Sequence, residues 1–260
     1  MTQITSVSTK HQERLKLVLK KSAHALLATY APTGPPYDPK LIAEKLGVAV
    51  HETQLNGVEG YLDSSEGGRY IAVISSTANE ARRRFTLAHE LCHFLLMQRA
   101  EDGKQVKLIR FRSNGSLPGL HHDPVEESLC DYFASELLMP SNEISKLLAG
   151  REIVPSTIYE VAEHFRVSIQ AAAIQIVRSL SEHLLACSYW NLEALWPVPV
   201  WWTGCRTRHT RELRHLELLA ERRTDLVELW GTYAGRYQQV KVSVMPTPKM
   251  RFAMILVTNA

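Results

Sequence analysis

Residues 85–96, FTLAHELCHFLL, decide how the rest of the chain is interpreted. His89 and His93 stand four residues apart in a helical pattern, so both imidazoles project from one helix face and can bind one metal ion. In such a pattern Glu90 is not a ligand, because it takes the proton of the water that attacks a carbonyl. The stretch therefore predicts a metal-dependent hydrolytic site with Glu90 as general base.

A second predicted helix, over residues 125–138, supplies the rest of this site. A catalytic zinc takes three protein ligands and leaves a position for water. Glu127 and Asp131 stand four residues apart, so Glu127 can bind the metal while Asp131 accepts the free ring N–H of a ligating histidine. Glu126 is the rival ligand, although it projects about 100° away from the Asp131 face. The alternative without a metal is a surface helix with scattered acids beside a histidine pair in the core.

Length and composition restrict the class of protein. With 260 residues, of which 45% are apolar and 22% charged, the chain is expected to form one core domain with a smaller companion. Residues 1–21 are charged throughout, and no window approaches about 18 consecutive apolar residues, so neither export nor a membrane span is expected. The four cysteines lack a CxxC pair, which favours reduced thiols in a cytoplasmic protein. A net charge of +3 gives no indication of nucleic-acid binding.

The pattern along the chain predicts an α+β fold in three parts. Residues 1–140 are predicted to form the metal-binding domain, residues 141–184 a helix-turn-helix-like segment, and residues 185–260 a small α/β domain with a charged helix near 208–229. Within the first two parts, helices are predicted over residues 11–30, 38–46, 79–98, 125–138, 142–149, 156–164 and 168–183. A small sheet ending in a hairpin is predicted from residues 48–52, 57–65 and 69–76.

Three separated stretches resemble, in order, the ImmA/IrrE family of bacterial metallopeptidases. Residues 82–96, RRRFTLAHELCHFLL, resemble its helix motif, residues 126–140, EESLCDYFASELLMP, its third-ligand helix, and residues 37–50, YDPKLIAEKLGVAV, its opening helix. The resemblance covers about residues 37–180. It is specific, because three motifs occur in the same order.

The resemblance implies a gluzincin-like zinc endopeptidase. In it His89, His93 and Glu127 would bind Zn²⁺, with Mn²⁺ or another divalent ion as the alternative, and Glu90 would be the catalytic base. The implied substrate is a helix-turn-helix repressor of the XRE type, cleaved on a stress signal. Cleavage would derepress stress-response or mobile-element genes.

The sequence departs from this family in three places. Cys92 replaces a usual glycine and is interpreted as a small core residue, with a redox-sensitive thiol beside the metal as the alternative. Asp131 replaces a frequent asparagine and is closer to the ExxxD pattern of thermolysin. The radiation-response branch carries a GAF-like sensor after its peptidase domain. Residues 185–260 are short for such a sensor, so the role of the tail stays open.

Two further predictions concern the substrate. The strand at residues 69–75 is predicted to be a sheet edge that holds an extended peptide by strand addition, at Tyr70, Ala72 and Ile74. A second donor to the oxyanion is also expected, and His121, His122 and Tyr70 are the candidates.

Residues 157–180 have the spacing of a DNA-reading helix-turn-helix, with Ser168 as a plausible N-cap of the second helix. That helix is largely apolar and offers mainly Gln170, Gln175 and Arg178 to a partner. A recognition helix needs polar side chains for base edges and cations for phosphates, so packing is favoured over direct DNA binding. The alternative function is a non-enzymatic, DNA-binding or partner-binding regulator whose metal site is structural.

Overall fold

The computed structural model describes residues 9–65, 69–101, 123–180, 184–191, 198–204, 227–233, 236–246 and 252–259. The chain divides into two compact units. The first contains Met1–Pro140 and Phe165–Val167, and the second contains Ser141–His164 and Ser168–Ala260. None of the described helices has the length and apolar character needed to cross a bilayer.

In its described residues the first unit combines helices with a three-stranded sheet. The elements, in chain order, are α1 (Thr9–Tyr30), α2 (Pro39–Lys45), β1 (Val48–Thr53), β2 (Gly60–Ser65), β3 (Arg69–Ser75), α3 (Glu80–Glu101) and α4 (Pro124–Leu138).

Capping side chains explain where these helices begin. Asp38 accepts the Lys40 N–H at 2.9 Å at the start of α2, and Asp123 accepts the Val125 N–H at 2.9 Å at the start of α4. Each of these helices has proline in its first turn, where its missing N–H costs nothing. The chain leaves α2 through Gly47, whose φ of 75° suits a residue without a Cβ.

The sheet has the order β1-β3-β2, with β1 parallel and β2 antiparallel to β3. The prediction that Arg69–Ser75 is an edge strand is therefore wrong, because β3 pairs with a strand on each side. A central strand has no free row of N–H and C=O groups for an added peptide. Strand addition at Tyr70, Ala72 or Ile74 is excluded for the same reason, and the side chains of Ala72 and Ile74 are buried.

Helix α3 occupies the centre of the first unit. It packs against β2 and β3 and also against α4, which in turn packs against α1. Leu87 and Leu91 of α3 and Phe133 and Leu137 of α4 are at most 2% exposed. Each such side chain contributes roughly 1.5–3 kcal/mol through burial, so the two helices that carry the predicted metal ligands are held by the main core.

The second unit contains α5 (Ser141–Leu147), most of α6 (Pro155–Phe165), α7 (Ile169–Ser179) and an antiparallel five-stranded sheet. Its strands are β4 (Leu184–Asn191), β5 (Val198–Gly204), β6 (Val227–Tyr233), β7 (Arg236–Pro246) and β8 (Phe252–Asn259), in the order β5-β4-β8-β7-β6. The charged helix predicted near 208–229 lies outside the described residues, except that residues 227–229 belong to β6 and are strand.

The predicted second helix of the helix-turn-helix segment is α7. Ser168 caps it as predicted, since its side chain accepts the Ala171 N–H at 3.1 Å. The helix lies against α5, β4 and β5. Gln175 is fully buried and accepts a hydrogen bond from Arg178 at 3.0 Å. Of the three polar side chains predicted to be available to a partner, Gln170 and Arg178 are exposed.

Candidate metal centre

Three donor groups from α3 and α4 converge on one point. The Nε2 atoms of His89 and His93 are 3.1 Å apart, and the Glu127 carboxylate lies 3.2 Å from the first and 3.6 Å from the second. A tetrahedral zinc with bonds of about 2.0–2.1 Å places its ligand atoms about 3.3 Å from one another. The donor set therefore fits one tetrahedral divalent ion.

The outer ring nitrogens are bound by two further carboxylates. His89 Nδ1 lies 2.9 Å from Asp131 Oδ1, and His93 Nδ1 lies 3.0 Å from Glu126 Oε1. With each Nδ1–H donating to a carboxylate, the Nε2 atoms are left with their lone pairs towards the centre. Asp131 is thus in contact with the outer ring nitrogen of His89.

Glu126 has a position that the sequence reasoning missed. The helical pattern offers Glu126 only as a rival ligand, because its Cα–Cβ direction points about 100° from the Asp131 face. The side chain has enough rotatable bonds to bring its carboxylate to His93 from that direction. Each metal-binding histidine needs a hydrogen-bond acceptor for its outer ring nitrogen, and Asp131 can serve only one of the two. This need for a second acceptor was the signal that could have identified Glu126.

The charges around the rings favour a cation at this place. Burial lowers the pKa of His89, but hydrogen bonds to Asp131 and Glu127 and the nearby charge of Glu90 outweigh it and raise the pKa to about 10. The side chain of Glu90 is buried, with 7% of the residue exposed. Because a divalent ion can replace protons in such a cluster, the electrostatics agree with the donor geometry.

Cys130 offers a second possible metal ligand that the sequence analysis did not consider. Its Sγ can share a group with His89 and His93 in which the ligand atoms lie within 4.8 Å of one another. However, the sulfur lies 3.6 Å from Nδ1 of His93, the nitrogen that Glu126 already binds. Burial raises the pKa of the Cys130 thiol, and metals bind the thiolate. The geometry therefore favours Glu127 as third ligand.

Of the remaining residues singled out in the sequence, Cys92 and Tyr70 are described by the structure and two histidines are not. Cys92 is fully buried, which confirms its interpretation as a core residue. Tyr70 is half-buried, and its ring contacts Phe94 edge-on with centroids 5.0 Å apart. His121 and His122 lie outside the described residues.

Comparisons with known proteins identify the family of this chain. Residues 43–176, about half of the chain, match the sequence model of peptidase family M78, the IrrE N-terminal-like domain. The chain belongs to this family. The matched residues include both histidines and the helix α4, so the resemblance drawn from the three motifs is confirmed, together with the α+β fold.

Two relatives show how far the likeness extends. The radiation response metalloprotease IrrE of Deinococcus radiodurans is 28% identical over 148 residues, which are 56% of this chain and 42% of that protein. The aligned part of the chain thus spans less than half the length of that relative. A solved structure described as a Mycobacterium tuberculosis transcriptional regulator is similar with a TM-score of 0.51 and 12% identity, over 92% of this chain and 87% of that one. This second likeness is one of fold.

Proposed function

We propose that this chain is a zinc-dependent endopeptidase of the gluzincin kind, with Zn²⁺ or another divalent ion held by His89, His93 and Glu127. The observation that carries the proposal is the convergence of their donor atoms at 3.1–3.6 Å, the spacing of ligands on one tetrahedral ion. Membership of a peptidase family and the similarity to a metalloprotease support the same reading.

The chemistry divides between the ion and the side chains. A bound divalent ion would act as a Lewis acid towards a carbonyl and would lower the pKa of water towards 7. Glu90, next to His89 and buried, takes the proton of the attacking water and passes it to the leaving amine. Asp131 and Glu126 keep both imidazoles in the tautomer that presents Nε2.

The substrate peptide is proposed to add to β2, which is an edge of the sheet. A Cβ at Gly60 would come within 2.6 Å of the Thr86 side chain, so the start of β2 touches α3 one turn before His89. Ser64 pairs with Tyr70, whose ring contacts Phe94, so the other end of β2 lies near the turn after His93. The free edge of β2 therefore runs along the turns of α3 that carry the histidines.

Proline scanning can test this edge. In an antiparallel pair, successive N–H groups point alternately towards the partner strand and away from it. Proline is placed singly at residues 61 to 64. Where the N–H points away from β3, cleavage should be lost with little change in melting temperature, and where it points towards β3 the protein should be destabilised. Full cleavage by every folded variant would exclude β2 as the peptide-binding strand.

The proposed substrate is a transcriptional repressor of the XRE type, as the family resemblance implies. The decisive experiment incubates the zinc-loaded protein with the XRE-type repressor encoded nearest its gene and follows the products on a gel. Glu90→Gln should keep its metal and lose at least about 100-fold in cleavage rate, the contribution expected of a general base. Glu59→Gln is the matched control, because Glu59 is exposed and pairs with Arg82. Equal cleavage by Glu90→Gln and the wild type would refute the mechanism.

A directly DNA-binding regulator is the alternative, and α7 gives it little support. The helix lies against α5, β4 and β5, and its buried Gln175 is not available to base edges. We expect weak binding to DNA of any sequence. Sequence-specific binding that falls steeply with salt and is weakened by Gln170→Ala would favour the regulator instead.

A further inference from the structure

A second concave site lies on the other side of α3. An open cavity of about 310 Å³ lies between the start of α2, the strands β1 and β3, and the first two turns of α3. Arg83, Arg84 and Leu87 line it from α3. At about 100° per residue, their mean direction is about 150° around the helix axis from His89 and His93. An occupant of this cavity would not contact the metal centre.

The cavity combines an apolar floor with a charged rim. The floor includes Tyr37, Ile74 and Leu87, each buried and at most 3% exposed. Four cationic side chains line the rim, namely Lys40, Arg83, Arg84 and Arg166. Such a site suits a ligand that carries both an apolar body and a charged group.

The acidic residues of the rim are already engaged. Glu52 forms an ion pair with Lys40 and lies 3.6 Å from Arg83 Nε. The hydrogen bond from Lys40 lowers the pKa of Glu52, so its carboxylate is ionised at neutral pH. The two remaining acids are Glu80, 3.7 Å from Arg166, and Asp38, which caps α2.

Arg84 is bound differently from the other rim cations. Its guanidinium donates to the carbonyl of Tyr37 at 2.5 Å and to that of Arg166 at 3.2 Å. Within the described residues no carboxylate oxygen lies within 4 Å of it. Carbonyl partners satisfy N–H groups without neutralising the charge. Burial also lowers the pKa of Arg84, which reflects the cost of holding this cation half-buried.

We propose that this cavity binds a small organic anion, whose carboxylate or phosphate group pairs with Arg84 and whose apolar body rests on Ile74 and Leu87. With two carbonyls bound, about three of the five guanidinium donors remain for a bidentate contact. A charge-assisted pair in a partly dehydrated site is stronger than a neutral hydrogen bond. The rim has four cationic and three acidic side chains, and its net positive charge attracts the carboxylate or phosphate of the ligand.

The experiment measures binding of four probes to the full-length, metal-loaded protein by calorimetry. Phenyl phosphate and benzoate combine an anionic group with an apolar body, benzyl alcohol has the body alone, and inorganic phosphate has the anion alone. At least one of the two aromatic anions should bind 10-fold or more tightly than benzyl alcohol and inorganic phosphate. Preference for phenyl phosphate or for benzoate then identifies the head group.

Matched arginine variants assign the binding to the cavity. Arg84→Gln should weaken the better anion at least 10-fold, whereas Arg82→Gln should bind it as the wild type does, because Arg82 is an exposed neighbour outside the cavity. If Arg84→Gln does not fold, Lys40→Gln against Lys45→Gln replaces the pair, since Lys40 lines the cavity and Lys45 does not. The proposal is overturned if neither aromatic anion binds, or if the cavity variant and its control bind equally.

Discussion

The two sides of α3 both carry charge, but they are assembled in opposite ways. On one side, the imidazoles of His89 and His93 are flanked by carboxylates from α4, and this negative charge attracts a cation. On the other side, Arg84 donates to main-chain carbonyls and Arg83 shares Glu52 with a lysine, so the net charge of the side chains there is positive. The first side is built from two helices and a short motif. The cavity on the second side is lined by residues that range from 36 to 166 in the sequence, so no short sequence pattern predicts it.

Loss of the metal is the largest effect expected, and only substitutions on the side of α3 that carries His89 and His93 should cause it. His93→Ala and Glu127→Ala should each reduce bound zinc from one ion per chain to none after dialysis, because two remaining donors cannot hold it. Arg84→Gln, on the other side of the helix, should keep the ion. Elemental analysis of the purified variants measures this.

The same analysis decides between the two possible third ligands. Cys130→Ala should keep one ion per chain, because the Cys130 sulfur contacts the outer nitrogen of His93, Nδ1, and not the nitrogen that faces the metal. If Cys130→Ala lost the ion and Glu127→Ala kept it, the third ligand would be the thiolate.

A smaller effect is expected from the carboxylates that hold the outer ring nitrogens. Glu126→Gln and Asp131→Asn keep the side-chain shape but weaken the hydrogen bond to Nδ1, so each should lower zinc affinity about 10- to 100-fold. Competition with a chromophoric chelator measures the affinity. Ser128→Ala, exposed on the same helix, is the control and should change nothing. Unchanged affinity in Glu126→Gln would show that its contact with His93 has no positioning role.

The helices and strands of the first unit, and the side chains of the proposed metal site, are largely predictable from the sequence. The cap at Ser168 is a local signal, and the four-residue spacing of His89 and His93 is a helical repeat that needs no tertiary information. Glu127 followed from the coordination that zinc requires. The first two inferences depend on neighbours within a few residues of one another, and the third on the number of ligands that the ion takes.

Strand order was not predictable in the same way. A period-2 pattern identifies a strand but not its neighbours, and β3 was mistaken for an edge. The run Ile71-Ala72-Val73-Ile74 is continuously apolar, which is typical of a strand buried on both faces. That run was the available signal. The carboxylate of Glu126 and the cavity around Arg84 depend on side-chain reach and on contacts between distant segments, which sequence spacing does not record.

The smallest expected effect concerns Arg166, on the rim of the cavity. Its φ of 53° lies in the left-handed region, which costs a residue with a Cβ roughly 1–2 kcal/mol. Arg166→Gly and Arg166→Ala both remove the guanidinium, whose contact with Glu80 is long and exposed and contributes little. The two variants differ in the Cβ alone, and both retain the carbonyl that Arg84 binds.

Glycine relieves the left-handed strain but loses more backbone entropy on folding, by about 0.5–1 kcal/mol relative to alanine. The balance should make Arg166→Gly more stable than Arg166→Ala by about 0.5–1 kcal/mol. For a chain of this size that corresponds to roughly 1–4 °C in Tm by differential scanning calorimetry. Metal content should be the same in both variants, because the turn lies on the cavity side of α3. An alanine variant as stable as the glycine variant would mean that this turn does not hold residue 166 at positive φ in solution.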